Sequence, residues 1–363
     1  MESTEKPRLW TRLHHWISEH HKIVWIISGV IAICAGGAAT YFILTQKSAP
    51  VDTAPVVEVK EAPKPKPKYY SPLTGNLVET EAATKQAVTG IMIENSPDAR
   101  PQSGLKDSGV VFEAIAEGGI TRFLVLYQQE KPQLIGPVRS LRLYDVDWLA
   151  AFDASIGHVG GSAAALVEIR NGTYRDIDQF FNPGSYWRST DRYAPHNVYT
   201  NFEKLDALNV AKGYTTSTFT GFTRVDGKAS ATPDATAINV AISGFLYDST
   251  YAYDIVTNTY ARSQAGEPHL DRESGQIAPS VLVVMRVDET KVYEDGYREA
   301  ITTIGSGAAT IFQNGIATNV TWTKASKLGQ ITFTDAVGVD VPLVRGQTWI
   351  IAIPNGSGDV TWQ

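Results

Sequence analysis

An uninterrupted apolar run near the N-terminus constrains this chain more than any other feature. Residues 23–44 (IVWIISGVIAICAGGAATYFIL) are 22 consecutive residues without a charge, which is the length a helix needs to cross a hydrocarbon layer about 30 Å thick. Lys22 and Lys47 flank the run, and Trp25 and Tyr41 lie near its ends, where interfacial aromatic residues are expected. The apolar core of a cleaved signal peptide is shorter, roughly 7–15 residues. The sequence therefore predicts a transmembrane helix.

The single cysteine of the chain, Cys34, lies in the middle of this run. It follows Ile33, whereas an acylated lipoprotein cysteine would follow a small residue, so lipid attachment is not expected at this position. The rest of the chain has no thiol, which excludes disulfides, thiolate metal ligands and cysteine nucleophiles there. The body must therefore be stabilised by its hydrophobic core.

Basic residues are more frequent before the apolar run than after it. Four precede it, whereas the next sixteen residues contain only two, Lys47 and Lys60. Cytoplasmic flanks of membrane spans carry an excess of Lys and Arg. We therefore expect a single-pass protein of the cell membrane, with a cytoplasmic tail (1–22), a transmembrane helix (23–44) and an extracytoplasmic body.

A proline-rich segment, 45–68, separates the apolar run from the body. It contains five prolines and no glycine, and it ends in KPKPK. Such a sequence favours extended polyproline II structure, which would span up to ~70 Å at ~3.1 Å per residue. We expect a linker that holds the body away from the membrane, and its lysines are candidates for contacts with anionic lipid or wall polymer.

The charge of the chain is unevenly distributed. Residues 1–68 contain nine Lys and Arg against six Asp and Glu, which leaves 23 basic and 32 acidic residues, a net charge of −9, for the remainder. A general nucleic-acid binder needs a basic face that displaces counterions. The acidic body therefore argues against a nucleic-acid partner.

Standard motifs for metals and cofactors are missing from the sequence. There is no HExxH, calcium loop, phosphate-binding glycine loop or GxSxG. Four histidines of the tail match no standard ligand spacing, and we expect a solvated face near the headgroups from them: His14, His15, His20 and His21. We expect no metal and no cofactor.

The body divides into two regions of different predicted secondary structure. Residues 69–225 alternate between strands, such as 87–95 and 120–128, and helices, such as 162–172 and 202–213, which predicts a mixed α/β or α+β domain. After a small and polar stretch, residues 226–363 contain many short β-type runs separated by turn residues. This spacing predicts a predominantly β domain, a small sandwich or barrel.

Arginines and glycines are concentrated between Glu117 and Ser162, which makes this stretch the best site candidate. Arginine suits the recognition of carboxylate and phosphate groups, and the predicted helix start at Ser162 adds backbone N–H donors. An aromatic, turn-rich segment, 178–201, is expected to lie over the pocket. The candidate ligand-binding residues are Arg122, Arg139, Arg142, His158, Ser162, Asp191, Arg192, His196 and Asn197.

Paired carboxylates offer a second interpretation of the same stretch. Glu113 and Glu117 are four residues apart, with Glu94 nearby, and a glycan hydrolase needs two carboxylates about 5–10 Å apart. Residues four apart bring their side chains together only on a helix, whereas this region is predicted to be a strand. The candidate catalytic residues are His158, Glu113 and Glu117.

Several blocks of the sequence occur in the order found in the YerB-like family of bacterial envelope proteins. They include SPLTG (71–75), ARPQSGL (99–105), VFEAIAEGGITRF (111–123), IGPVRSLR (135–142) and APHNVYT (194–200). The chain resembles this family over about residues 70–355. The resemblance implies two consecutive domains of unknown function in an exported, membrane-tethered protein. Many members are lipoproteins, and here a transmembrane segment replaces the lipidated cysteine.

Two functions remain open from the sequence. In the first, the body binds or scaffolds at the cell wall through an Arg/His-lined pocket, with peptidoglycan, an anionic wall polymer or an envelope protein as its partner. In the second, it is an envelope hydrolase or transferase that uses His158 with a carboxylate. The lack of a complete catalytic set favours the first.

Overall fold

The computed structural model describes residues 9–45, 68–292 and 295–363. The chain forms two compact units, Met1–Pro65 and Lys66–Gln363. The predicted linker, apart from its first and last residue, and the first eight residues of the predicted tail lie outside the described residues.

Within residues 9–45, the described part of the first unit, there are two helices, α1 (Leu9–Glu19) and α2 (His21–Thr45). α2 contains the predicted span 23–44. In the described part of the chain it is the one helix long and apolar enough to cross a membrane. None of its side chains is buried against protein, as expected for a helix whose apolar surface is covered by lipid.

The second unit contains four further α-helices, three short 3-10 helices and twenty-five strands within the described residues. Its α-helices are α3 (Glu81–Thr84), α4 (Leu143–Leu149), α5 (Ala163–Asn171) and α6 (Phe202–Ala211). The strands up to residue 225 are β1 (Tyr69–Tyr70), β2 (Leu77–Val78), β3 (Thr89–Glu94), β4 (Val110–Glu117), β5 (Ile120–Tyr127), β6 (Ser155–Gly157), β7 (Arg175–Asp176), β8 (Trp187–Arg188), β9 (Val198–Tyr199) and β10 (Arg224–Val225).

Beyond residue 225 the described residues form only strands and irregular segments. These strands are β11 (Ala237–Ala241), β12 (Ser249–Asp254), β13 (Thr259–Gln264), β14 (Glu267–Pro268), β15 (Leu270–Asp271), β16 (Gly275–Gln276), β17 (Val281–Val287), β18 (Glu289–Lys291), β19 (Glu299–Ile301), β20 (Gly305–Gln313), β21 (Ile316–Lys324), β22 (Thr332–Thr334), β23 (Leu343–Val344), β24 (Thr348–Pro354) and β25 (Asp359–Trp362). The predicted fold class, mixed α/β followed by mainly β, is confirmed.

A ten-stranded sheet joins the two predicted regions. Its strand order is β22-β21-β20-β17-β24-β4-β5-β3-β6-β7, so strands from both sides of residue 225 belong to one sheet. β24 lies at the junction, parallel to β17 on one side and to β4 on the other. All seven residues of β24 (TWIIAIP) are buried, which is typical of a parallel strand covered on both faces.

Different elements cover the two faces of this sheet. Successive side chains of a strand point to opposite faces. In β3, Met92 therefore packs with the cluster that contains α4 and the buried residues of α5. Ile91 and Ile93 instead pack with residues of a five-stranded sheet, β14-β13-β12-β11-β25. The core thus consists of two layers on either side of the large sheet.

One end of the large sheet brings several charged residues together. β3 ends at Glu94, and β4 and β5 are joined by the two-residue turn Gly118–Gly119. Both glycines have positive φ, 55° and 80°, as a type I′ hairpin turn requires. Glu94 lies directly opposite Arg122 of β5 in the ladder, so the end of β3 adjoins the tip of the hairpin.

Candidate functional site

The carboxylate of Glu94 is the centre of the first charged group at this end of the sheet. It is almost fully buried, and its Oε1 lies 3.2 Å from Arg139 Nε. His196 Nδ1 lies 3.0 Å from both carboxylate oxygens, and Ser96 Oγ donates to Oε1 at 3.0 Å. Arg139 and His196 are partly exposed, with 25% and 22% of their side chains accessible. A buried carboxylate thus contacts an imidazole by hydrogen bonds and a guanidinium by an ion pair, both partly exposed.

The second charged group is centred on Glu117 at the tip of the hairpin. Arg122 Nη2 donates to Oε1 at 2.6 Å, while Arg142 donates from Nε and Nη2 to Oε2. Burial alone would raise the pKa of Glu117, but the positive charges of both arginines and their hydrogen bonds hold it below its ordinary value. Glu117 therefore remains ionised and orients two nearly buried arginines.

The segment 139–142 connects the two groups. Arg139 N donates to Met92 O at 2.9 Å, and Arg122 Nη1 donates to Ser140 O at 3.1 Å. We call the connected set the arginine edge, and it consists of Glu94, Glu117, Arg122, Arg139, Arg142 and His196. Its three guanidinium groups face two carboxylates, so its net charge is +1 even with a neutral histidine.

Two further arginines adjoin the arginine edge. Arg100 Nη2 donates to Asn95 O and Leu246 O at 2.8 and 2.7 Å, and its guanidinium lies 5.4 Å from the centre of the Tyr247 ring. Arg192 donates to the carbonyl oxygens of 98 and 101. Two further acids adjoin the arginine edge: exposed Asp98 lies 3.9 Å from His196 Nε2, and buried Asp145 accepts from Arg142 N at 2.9 Å. The surroundings therefore remain cationic.

His158 is not part of the arginine edge. It is completely buried, and its Nε2 lies 3.1 Å from Asp176 Oδ1 while its Nδ1 lies 2.8 Å from Gly160 O. Asp178, 4.0 Å from Nδ1, pairs with Arg170. Both ring nitrogens are thus engaged inside the protein, and the ring has no surface from which to act on a ligand.

Glu113 also lies away from the arginine edge, although it is on the same strand as Glu117. A register shift between Ile115 and Glu117 marks a bulge, which re-aims the side chains on either side of it. Glu113 is 1% exposed, and its carboxylate accepts from Arg262 Nη2 at 3.0 Å and from Trp349 Nε1 at 3.0 Å. The two glutamates therefore do not form the carboxylate pair of a hydrolase.

The predicted helix start at Ser162 is confirmed, since its side chain accepts from Ala165 N at 3.4 Å at the start of α5. Ser162 lines a cavity of about 230 Å³ together with Arg142 and Arg298. Arg142 belongs both to the lining of this cavity and to the arginine edge, so the cavity adjoins the arginine edge. The Arg142 guanidinium is already paired with Glu117.

Residues of the segment 178–201 mainly hold that segment in place. Asn197 accepts from Arg188 Nη1 at 2.7 Å and donates to Ser189 O. Asp191 is exposed and accepts from Arg272 Nη2 at 2.6 Å. Of this segment's predicted binding residues, only His196 reaches a carboxylate of the arginine edge.

The sequence analysis missed Arg262 and His269, which form a buried network with Glu113. Burial, together with the positive charges of Arg262 and Arg100, holds the pKa of His269 well below its ordinary value. A neutral ring can accept from Arg262 Nη1 at Nδ1 and donate from Nε2 to Gln102 Oε1 at 2.9 Å. One feature of the sequence could have indicated that Arg262 is buried. Inward and outward side chains alternate along β13, and Arg262 lies at an inward position between Tyr260 and Gln264.

Together with the adjoining Ser96, the arginine edge contains the residue types of a serine hydrolase but not their arrangement. In a catalytic triad, serine and carboxylate contact opposite nitrogens of the histidine ring. Here Ser96 Oγ and the Glu94 carboxylate both lie at Nδ1 of His196, at 3.3 and 3.0 Å. The geometry supports recognition of a charged group and not nucleophilic attack by Ser96.

Two protein-family models match the body of this chain. Residues 73–215 match the family "Protein of unknown function (DUF3048) N-terminal domain", and residues 238–350 match the corresponding C-terminal domain. The chain is 31% identical over 293 residues to the putative lipoprotein YerB of Bacillus subtilis (strain 168), covering 79% of this chain and 87% of that protein.

A solved structure is similar as well. The crystal structure of the YerB protein from Bacillus subtilis superposes with a TM-score of 0.73 at 29% identity, covering 81% of this chain and all of that one. The predicted YerB-like resemblance is thereby confirmed. The apolar helix α2 and the lipoprotein relative both indicate association with a membrane.

Proposed function

Because the chain belongs to the YerB-like family with its two DUF3048 domains, we propose that it is a membrane-anchored, extracytoplasmic envelope protein that binds an anionic wall polymer through the arginine edge. The ligand groups are carboxylates or phosphates carried on a polymer. In this proposal α2 crosses the membrane once, with residues 1–22 in the cytoplasm.

The composition and the relative support the location. α2 has the length and apolar character of a membrane span, and the similar Bacillus subtilis protein is described as a putative lipoprotein. A lipid anchor and a single span are alternative means of holding a body at the same membrane surface. The excess of basic residues before the span supports the cytoplasmic tail.

The observation that carries the binding proposal is that the terminal guanidinium nitrogens of Arg139 make no hydrogen bond within the described residues. The Arg139 Nε forms an ion pair with Glu94 at 3.2 Å, while no hydrogen bond of the described residues involves any of its side-chain nitrogens. A guanidinium offers its terminal N–H groups as a fork that matches carboxylate and phosphate oxygens. Since the ion pair already restrains this side chain, less conformational entropy is lost when a ligand binds.

His196 extends the same surface. Its Nδ1 is held by Glu94, so its Nε2 edge is the part available to a ligand. Because the ligand groups are anionic, the proposal predicts weaker binding of the polymer at high salt.

The test is sedimentation of the full-length protein, in detergent micelles, with insoluble wall fragments. Hydrogen bonds to charged groups contribute about 1.5–3 kcal/mol, so Arg139→Gln is expected to weaken binding about tenfold or more. Arg139→Lys keeps the charge without the fork and should give an intermediate affinity. Circular dichroism of each variant confirms that the fold is retained.

Arg175→Gln is the matched control. Arg175 is 22% exposed and is paired with Asp153 at 2.7 Å, so it resembles Arg139 in exposure and partner but lies outside the arginine edge. Binding equal to wild type by the Arg139→Gln variant would contradict the proposal, as would unchanged binding after the anionic groups are stripped from the wall fragments.

A further inference from the structure

Helix α1 carries an apolar stripe that no described part of the chain covers. At 100° per residue, Trp10, Leu13, Trp16 and Ile17 fall within an arc of about 120°. All four are exposed, Trp10 by 75% and Leu13 and Trp16 by 49% each. A stripe of this size in water would be costly, because apolar side chains are stabilised by about 25 cal/mol per Å² removed from water.

The rest of the α1 surface is polar. Arg12, His14, His15, Ser18 and Glu19 fill the remaining arc, and the described polar side chains are solvent-exposed. His15 Nδ1 lies 3.7 Å from Glu19 Oε1, one turn later on the same face. The helix is therefore amphipathic, with tryptophans on its apolar side, which is the pattern of helices that lie in a membrane interface.

The position of α1 in the chain indicates what covers the stripe. Only His20 separates α1 from α2, so α1 ends one residue before the apolar helix begins. The junction is ordered by His20 N donating to Trp16 O at 3.0 Å and by stacking of the Trp16 and His20 rings, with their centres 5.0 Å apart. If α2 spans the membrane, the C-terminal end of α1 lies at the headgroups, and the bilayer surface is the nearest apolar phase.

We propose that α1 lies along the membrane surface, with its apolar stripe in the boundary between headgroups and acyl chains of a leaflet that contains anionic phospholipid. This inference rests on the proposed membrane anchoring by α2. Residues 9–22 contain Arg12 and Lys22 against Glu19, a net charge of +1 before any histidine is protonated. Basic residues next to a span are attracted to anionic lipids, which selects the lipid chemistry.

Site-directed spin labelling of the full-length protein in nanodiscs tests the proposal. In a Cys34→Ser background, single cysteines at Ile17, Ser18 and Val30 carry the nitroxide label. Collisions with oxygen report immersion in lipid, and collisions with a water-soluble nickel chelate report exposure to water. We expect several-fold fewer nickel collisions at Ile17→Cys than at Ser18→Cys, and immersion at Val30→Cys.

The outcomes separate this inference from the anchoring proposal. Immersion at position 30 with equal water exposure at 17 and 18 overturns the surface helix but leaves the anchor intact. Water exposure at position 30 overturns both. An Ile17–Ser18 contrast that is the same in phosphatidylcholine nanodiscs as in anionic ones overturns the proposed lipid chemistry. Leu13→Ser, which interrupts the stripe, is expected to reduce the contrast.

Discussion

Replacement of Glu113 by glutamine should destabilise the body strongly. Glu113 and Arg262 are 1% and 0% exposed, and the variant leaves the Arg262 charge buried without its carboxylate. Removal of one partner of a buried ion pair costs about 3–5 kcal/mol in the free energy of unfolding. Trp349 Nε1 and Thr121 Oγ1 each donate to one of the two oxygens of this carboxylate. Glutamine has only one oxygen, so one of the two donors loses its acceptor.

Urea denaturation of the segment 66–363, a compact unit of its own, measures this loss by circular dichroism and tryptophan fluorescence. Glu81→Gln is the control, because Glu81 and Lys85 form an exposed pair whose loss costs about 0.5 kcal/mol or less. A double variant, Glu113→Met with Arg262→Met, removes both charges and should recover part of the loss. A Glu113→Gln variant no less stable than Glu81→Gln would refute the reasoning.

Two further predictions concern the charge of a buried acid and the topology of the anchor. Burial raises the pKa of Asp145 to about 7, so the folded protein retains a proton that the unfolded chain loses above about pH 4, and stability falls as pH rises towards 7. The side chain of the Asp145→Asn variant cannot titrate. The variant's free energy of unfolding relative to that of wild type, measured by urea titration, should therefore increase between pH 4 and pH 8 by at most about 4 kcal/mol. A difference that does not depend on pH would contradict this. For the topology, a membrane-impermeant maleimide applied to intact cells in a Cys34→Ser background should label Ser48→Cys but not Ser3→Cys, and the reverse pattern would contradict the orientation.

The sequence was sufficient for features that depend on local patterns. An apolar run of fixed length predicted α2, and the strand 87–95 and the helix 162–172 appear as β3 and α5 with small changes at their ends. Ser162 was recognisable as a helix start because its side chain type and position suffice for capping. The change to mainly β structure beyond residue 225 followed from short β-type runs and turn residues.

The site was predicted only in part, because its partners are distant in the sequence. Arg139 and His196 share one carboxylate, Glu94, which lies 102 residues from His196. Nothing local indicates that pairing. His158 was named because it lies in the stretch rich in arginine and glycine, yet its partners are Gly160 and Asp176 inside the protein. Composition can place charged residues in one stretch, but only the strand order decides which of them meet.

Strand order also explains how the second region contributes to a site whose residues all belong to the first. Arg262 of β13 holds Glu113, Glu113 accepts from Thr121 Oγ1 at 3.1 Å, and Thr121 accepts from Asn95 Nδ2 at 2.6 Å. These buried hydrogen bonds run from β13 to Asn95, the residue that directly follows Glu94 in the chain. Such networks restrict the positions of their members. The mainly β region thus helps to hold the chain next to Glu94, the carboxylate that contacts Arg139 and His196.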